Sequence, residues 1–433
     1  FDEKITQDRQ DLTQLTVLTI DPADARDFDD AISLEKLENG HWLLYVHIAD
    51  VSHFIPVGSQ LDQEARQRGT SVYLPDVVLP MLPETISNHL ASLQPDCIRY
   101  ALTAVIEWTA KGQRVSTDLQ RTAIRSDRRF TYREVDEFLE KPNPWKNRLS
   151  PEVFELLSRM SQFARILRKR RMDGGALELT LPEIKIDLDS KGQVEGAHVE
   201  EQTESHQIIE EFMLAANQAV ALNLYEKEIP CIHRIHEPPD PTKLFEFKEF
   251  ISSFSLRLSS SEKIRSQDLN ALLKKIQGTP EERVVNTLLL RTMKKARYSE
   301  SDSGHYCLGF EHYTHFTSPI RRYADLLVHR AIRSLIRSNK KIANIRRVDG
   351  FIPIPSHLIY PYDGDRLEST GEHLSVTERR ADDATRDVVN WLKCEYLMDR
   401  VGDKYTGVVS AVTGFGLFVM LDELYVEGLI HVT

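Results

Sequence analysis

The chain has 433 residues, 41% of them hydrophobic, and a formal net charge of −11, enough to bury a large core and to form more than one domain. No stretch approaches the ~18 consecutive apolar residues of a membrane span and no signal peptide is visible, so we expect a cytoplasmic protein with no membrane partner. Its four cysteines (Cys97, Cys231, Cys307, Cys394) include no CxxC pair, which argues against a zinc site or a disulfide framework.

The first element is a strand ending in Leu15, Val17, Leu18 and Ile20; Asp21 stands at its end and Pro22 stops the pairing. Residues 21–30 then carry five carboxylates, Asp21, Asp24, Asp27, Asp29 and Asp30, against one arginine, Arg26. Like charges about 4 Å apart repel by ~1 kcal/mol even in water, and by several near a protein surface. A fold that gathers them calls for a cation, and crowded hard oxygen ligands suit Mg²⁺ or Mn²⁺ better than zinc. A calcium EF-hand is excluded, because Arg26 and Ile32 hold the places of its glycine and glutamate. The alternative is an ordinary solvated acidic loop. Against it stands the next element, a hairpin of Ala31–Leu37 and His41–Ile48 joined at Asn39-Gly40. A two-residue turn pairs Leu37 with Trp42 and Leu34 with Tyr45, and brings Asp50 opposite Asp29 as a further carboxylate.

The segment Arg68–Pro75 runs from loop to strand and presents Tyr73, which is core, a hydrogen bonder or a base-stacking wall; spacing does not choose. The basic run Arg165–Arg171 reads as a solvated helix face, and the net negative charge does not exclude a nucleic-acid partner. Residues 206–223 read as an amphipathic helix burying Ile208, Ile209, Phe212, Met213 and Ala216, with Glu210, Glu211 and Asn217 as its polar marks.

In His315–His329, Ser318 and Pro319 form an N-cap and first helical position. Ile320, Tyr323, Ala324, Leu327, Ala331 and Leu335 share one face; Arg321, Asp325 and His329 share another. Arg321 and Arg322 then lie in the first turn, where the helix dipole disfavours cations. A bound anion, phosphate above all, resolves the conflict; an Arg321–Asp325 ion pair is the alternative. Residues 374–400 read as a further helix. From Gly402 the alternation, the glycines and the exposed-looking Phe415 and Phe418 suit an OB-type barrel, whose aromatics stack bases or fill core. About thirty residues are too few to close five strands, and with Phe1 in place of an initiator methionine both ends read as cut. Strands first, then long helices mixed with strands, then a strand-rich end predict an α+β architecture.

The motifs TIDPADARDFDDAISL, IADVSHF, RGTSVYLPDVVLPMLPE, HQIIEEFMLAAN, HRIHEPPDP and HYTHFTSPIRRYADLLVHR follow one another as in the ribonuclease II/R superfamily, the RNB-domain exoribonucleases. The chain resembles that family over almost its whole length, and ERRADDATRDVVNWLK is closer to its ribonuclease R branch. The resemblance implies an RNB catalytic domain over 1–336, a mixed sheet surrounded by helices. It also implies a loop and connecting helix over 337–401 and an incomplete OB-fold RNA-binding domain over 402–433; the family's N-terminal cold-shock-type domains are expected to be absent from this chain, a departure from the family pattern.

The implied activity is processive, Mg²⁺-dependent hydrolysis of single-stranded RNA from the 3′ end to nucleoside 5′-monophosphates and a short remnant, by a monomer using two ions that Mn²⁺ can replace. Two such ions about 3.5–4 Å apart activate water and stabilise the leaving oxygen. By motif position Asp21, Asp27, Asp29 and Asp30 are the active-site aspartates, with Asp29 the one whose neutralisation removes cleavage but leaves binding. Arg321 contacts the scissile phosphate, and Tyr73 stacks on the terminal base. Arg322, His315, Phe415 and Phe418 join the RNA contacts. Leu179 departs from the family, standing where an aromatic is expected, and Thr385 stands where ribonuclease II-like members carry glutamate. The rival readings are an inactive single-stranded RNA binder and a metal-dependent phosphodiesterase acting on DNA or short oligonucleotides.

Overall fold

A computed structural model describes residues 8–177, 179, 183–190, 192–258, 264–422 and 425–433. Its centre is a seven-stranded sheet in the order β1-β8-β7-β4-β3-β2-β9. The strands are β1 (Gln10–Asp11), β2 (Leu18–Asp21), β3 (Asp30–Lys36), β4 (Trp42–Ala49), β7 (Ile98–Trp108), β8 (Arg114–Arg125) and β9 (Arg128–Thr131), while β5 (Val72–Tyr73) and β6 (Val78–Leu79) form a separate small hairpin. The pairing is antiparallel through the middle and parallel at both edges, β1 with β8 and β2 with β9. Leu18, Ile32, Leu44, Val46 and Ile106 are fully buried in it, as expected of strands covered on both faces.

The β3–β4 register corrects the sequence reading. Leu37 N–H donates to His41 O (2.8 Å) and Gly40 N–H to Leu37 O (2.9 Å), so the loop has three residues, with Gly40 at φ +81°. This is the turn-plus-bulge hairpin that needs glycine in the left-handed region. The register moves by one residue, pairing Lys36 with Trp42 and Leu34 with Leu44, which sets leucine against leucine on one face. Ala49, not Asp50, then meets Asp29. Asp50 is fully buried elsewhere, against Arg9 (2.6 Å), Ser52 Oγ (2.6 Å) and Arg121 (3.5 Å).

Helices cover the sheet. After α1 (Tyr132–Glu140), the long α2 (Pro151–Asp173) and α3 (Glu204–Glu226) pack together, and Phe163 of α2 stacks on Trp42 with ring centroids 5.1 Å apart. The polar marks of α3 serve packing: Glu211 holds Arg171, and Asn217 Oδ1 accepts the Phe316 N–H (2.8 Å). Helix α4 (Tyr323–Ile336) is buried almost all round. A second core forms among the helices Pro241–Ser252, Ser266–Ile276 and Glu282–Thr292, around Leu244, Phe247, Leu269 and Leu289; Leu179 packs half-buried against it. Helix α5 (Gly364–Met398) has 35 residues and so runs about 52 Å. It leads to a three-stranded antiparallel sheet of Gly407–Thr413, Gly416–Leu421 and Glu427–His431. Among the described residues, no helix is long and apolar enough to cross a membrane.

Candidate active site

Asp21 closes β2 and Asp30 opens β3, so adjacent antiparallel strands deliver both carboxylates to one end of the sheet. The loop between them is pinned to the segment 92–94. Phe28 N–H donates to Ser92 Oγ (3.0 Å), Ser92 Oγ donates to Arg26 O (2.7 Å), and Leu93 N–H donates to Phe28 O (3.0 Å). This turns Asp29 inward, to 5% exposure, while Asp24 stays on the surface.

The electrostatics show the strain of gathering like charges. Burial, then the neighbouring Asp30, pushes Asp21 up to about 8. Burial pushes Asp30 up to about 7 against the pull of Arg321. Asp29 lies well above the usual carboxylate range, again through burial, opposed by Arg321 and by a backbone N–H. Asp21 Oδ2 is buried without a hydrogen-bond partner. Such a set, oxygen-only, mutually repelling and with one orphaned acceptor, has the donor chemistry of a hard divalent cation site. Among the described residues no three His, Cys, Asp or Glu groups close on one point as a finished ligand cage; the aspartates are gathered but not converged.

The Ser318–Arg322 segment corrects the second motif. The helix begins at Tyr323, and Arg322 before it is extended. The cause is tertiary: Ser71 N–H (2.9 Å) and Thr70 Oγ1 (3.1 Å) donate to Arg321 O, and Tyr323 N–H donates to Gly69 O (3.0 Å). A bridge to residues 69–71 thus holds both arginines out of the helix. The amides expected to bind an anion are taken by carboxylates, Ile320 N–H by Asp29 Oδ1 (2.9 Å) and Ser318 N–H by Asp325 Oδ1 (2.7 Å). Arg322, not Arg321, pairs with Asp325, through Nε and Nη2 at 2.8 Å each. Among the described residues the hydrogen bond of the Arg321 guanidinium is to Ser318 Oγ (3.1 Å), and its charge acts on Asp29 and Asp30.

Tyr73 leans over the cluster, 42% exposed, its hydroxyl 3.4 Å from Asp27 Oδ2. Thr385 Oγ1 on α5 donates to Tyr73 O (3.1 Å), tying that hairpin to the long helix. His315 is occupied within the protein: its Nδ1 lies 2.9 Å from Tyr298 Oη, and burial together with Arg322 and Arg234 holds the imidazole neutral. Phe415, half-exposed in a turn, and Phe418 meet edge to face, centroids 6.2 Å apart, on the C-terminal sheet.

Two neighbours of the cluster escaped the sequence reading. Tyr132, at the start of α1, feels the charges of Asp30 and Asp21, and its ring stacks on His206 with centroids 3.9 Å apart. The Thr131/Glu134 capping box was the available signal for its helix start. Arg129, on β9 one strand away from Asp21, carried no local signal.

Residues 9–338 match the RNB domain family profile. The chain is 40% identical over 425 residues to Ribonuclease R of Vibrio parahaemolyticus, covering 98% of this chain and 50% of that protein. It is 37% identical over 432 residues to Ribonuclease R of Escherichia coli, covering 100% and 52%. Its fold matches the structure of Mycoplasma genitalium RNase R in complex with ribose methylated single-stranded RNA, with a TM-score of 0.88, 30% identity, and 98% of this chain and 64% of that one covered. The chain spans about half the length of the curated relatives it matches.

Proposed function

The chain belongs to the RNB-domain family, and from that premise we propose that it is a Mg²⁺-dependent exoribonuclease hydrolysing single-stranded RNA from the 3′ end to nucleoside 5′-monophosphates. The observation that carries the reading is the joining of two motifs: Asp29 of the aspartate loop accepts the Ile320 N–H, which sets Arg321 facing Asp29 and Asp30. A carboxylate cluster and a phosphate-seeking arginine thereby form one unit, as phosphodiester hydrolysis requires.

Asp21, Asp27, Asp29 and Asp30 are the residues that would hold the metal, which supplies an activated water and stabilisation of the leaving oxygen. Arg321 offsets charge developing on the phosphoryl oxygens. Arg322 positions it, through the paired hydrogen bonds to buried Asp325. Tyr73, exposed above Asp27, offers a face to the terminal base. Because water attacks, the 2′-OH is not needed for the chemistry, and preference for RNA comes from binding contacts.

The same reading sets the catalytic unit at 1–336, the connecting segment at 337–401 and an OB-type unit from 402, in a cytoplasmic monomer. The test pairs RNA and DNA oligonucleotides of one sequence, with Mg²⁺ or a chelator. Shortening of the RNA from its 3′ end with Mg²⁺ alone is expected. Equal cleavage of DNA would favour a general phosphodiesterase, and binding without shortening of either strand an RNA-binding module.

A further inference from the structure

The aspartate loop is held along its length. Its second half is pinned at Arg26 and Phe28 by Ser92 and Leu93. Among the described residues the side chain that holds its first half is Arg129 of β9. One guanidinium nitrogen, Nη2, donates to Pro22 O and to Ala23 O, the latter at 3.0 Å. The same guanidinium lies over the Phe28 ring, 5.1 Å from its centroid, so it spans both halves of the loop. Strand pairing fixes where it stands: β9 runs parallel beside β2, with Thr19 opposite Arg129 and Asp21 opposite Thr131. Two cations therefore flank the carboxylates. Arg321 acts on Asp29 and Asp30, and Arg129 acts on Asp21.

We infer that Arg129 is a positioning residue for the metal site, clamping the Pro22–Ala23 carbonyls so that Asp21 is held in place to share a divalent cation with Asp27, Asp29 and Asp30. The inference rests on the metal-site reading above. It makes a prediction of definite sign, because Arg129 exerts two opposed effects. As a positive charge near a dication it weakens metal binding. As a clamp on the loop it strengthens binding, by sparing the cost of ordering the chain when the ion arrives. If charge dominates, removing the guanidinium tightens metal binding; if the clamp dominates, removal weakens it. Two hydrogen bonds from a charged donor, at the base of the loop that carries all four ligands, put the clamp ahead.

The experiment is calorimetric titration of Mg²⁺ and Mn²⁺ into the metal-free chain, without RNA, for the wild type, Arg129→Gln, Arg129→Lys and the control Arg128→Gln. Arg128 sits on the same strand and is paired with Glu134. The expected result is affinity roughly tenfold weaker in Arg129→Gln, the low end for groups that orient metal ligands. Arg129→Lys should fall between, since it keeps the charge but loses the planar fork, and Arg128→Gln should match wild type. Unchanged or tighter binding by Arg129→Gln would overturn the inference. Should Arg129→Gln fail to fold, wild-type affinity in a folded Arg129→Lys would overturn it equally. Failure of the wild type to take up either ion would instead sink the metal-site reading itself.

Discussion

Asp29 and Ile320 stand 291 positions apart in the chain and share one hydrogen bond, backbone N–H to carboxylate, at 2.9 Å. Through it the aspartate loop and the arginine segment are joined. In the proposed site Asp29 therefore has two duties, charge toward a metal and an acceptor for the loop that carries Arg321, and substitutions can separate them.

Asp29→Asn keeps an oxygen able to accept the Ile320 N–H but removes the charge. Cleavage should fall at least a hundredfold, the scale for loss of one electrostatic group in an active site, while RNA binding and melting temperature stay near wild type. Asp29→Ala removes the acceptor as well, and hydrogen exchange of the Ile320 amide should then speed up. Slow exchange in the alanine variant would contradict the second duty.

The two arginines should part company. Arg321→Ala should lose about a hundredfold or more in kcat with little change in stability, because the side chain is not part of the core. Arg322→Ala strands Asp325, which is fully buried, and breaking a buried pair costs about 3–5 kcal/mol. Denaturant unfolding read beside kcat distinguishes the two. An Arg322→Ala protein with wild-type stability would refute the assignment.

The pH dependence follows from the sign of the aspartate shifts. Burial, with repulsion from Asp30, raises Asp21 to about 8, and burial raises Asp30 to about 7, from the usual carboxylate value of 3.8. For an acid whose folded pKa is raised, the native state binds more protons than the unfolded one across that interval. This contribution is thus most favourable below about pH 4 and is lost as pH rises toward 8. In chelator, melting temperature should carry a component that declines from acid to pH 8. Added Mg²⁺, which binds the ionised form, should raise the melting temperature more at pH 8 than at pH 6 and release protons at the lower pH. Equal stabilisation at both values would count against an ion on this cluster.

Tyr73 is exposed and packs little, so Tyr73→Ala should leave stability within about 0.5 kcal/mol. Loss of a stacked base costs about 1–3 kcal/mol in affinity, and the limit product should lengthen. An unchanged product ladder would remove Tyr73 from the RNA path.

How much of this was legible in the chain follows from distance along it. The aspartates fall within ten residues, so their mutual repulsion could be argued from spacing, whereas the conflict of the arginine pair with a helix start rested on a start that the structure moves to Tyr323. The β3–β4 register was misread because Asn39-Gly40 fits two turn types, and the three-residue loop wins by matching Leu34 with Leu44. The start of α4 was misread because residues 69–71, some 250 positions away, capture the backbone of Arg321 and Tyr323. Asp50 left the cluster for Arg9 and Arg121, and Arg129 entered it from β9. None of these contacts leaves a trace in local periodicity.

The central claim is that one cluster of aspartates, joined to Arg321 through Asp29, performs metal-dependent hydrolysis at the 3′ end of RNA. The direct test follows a 5′-labelled single-stranded RNA with Mg²⁺, using this chain and its Asp29→Asn variant at matched RNA occupancy. The first protein should give a ladder shortening from the 3′ end, and the second an intact strand, still bound. Shortening that survives in Asp29→Asn would contradict it.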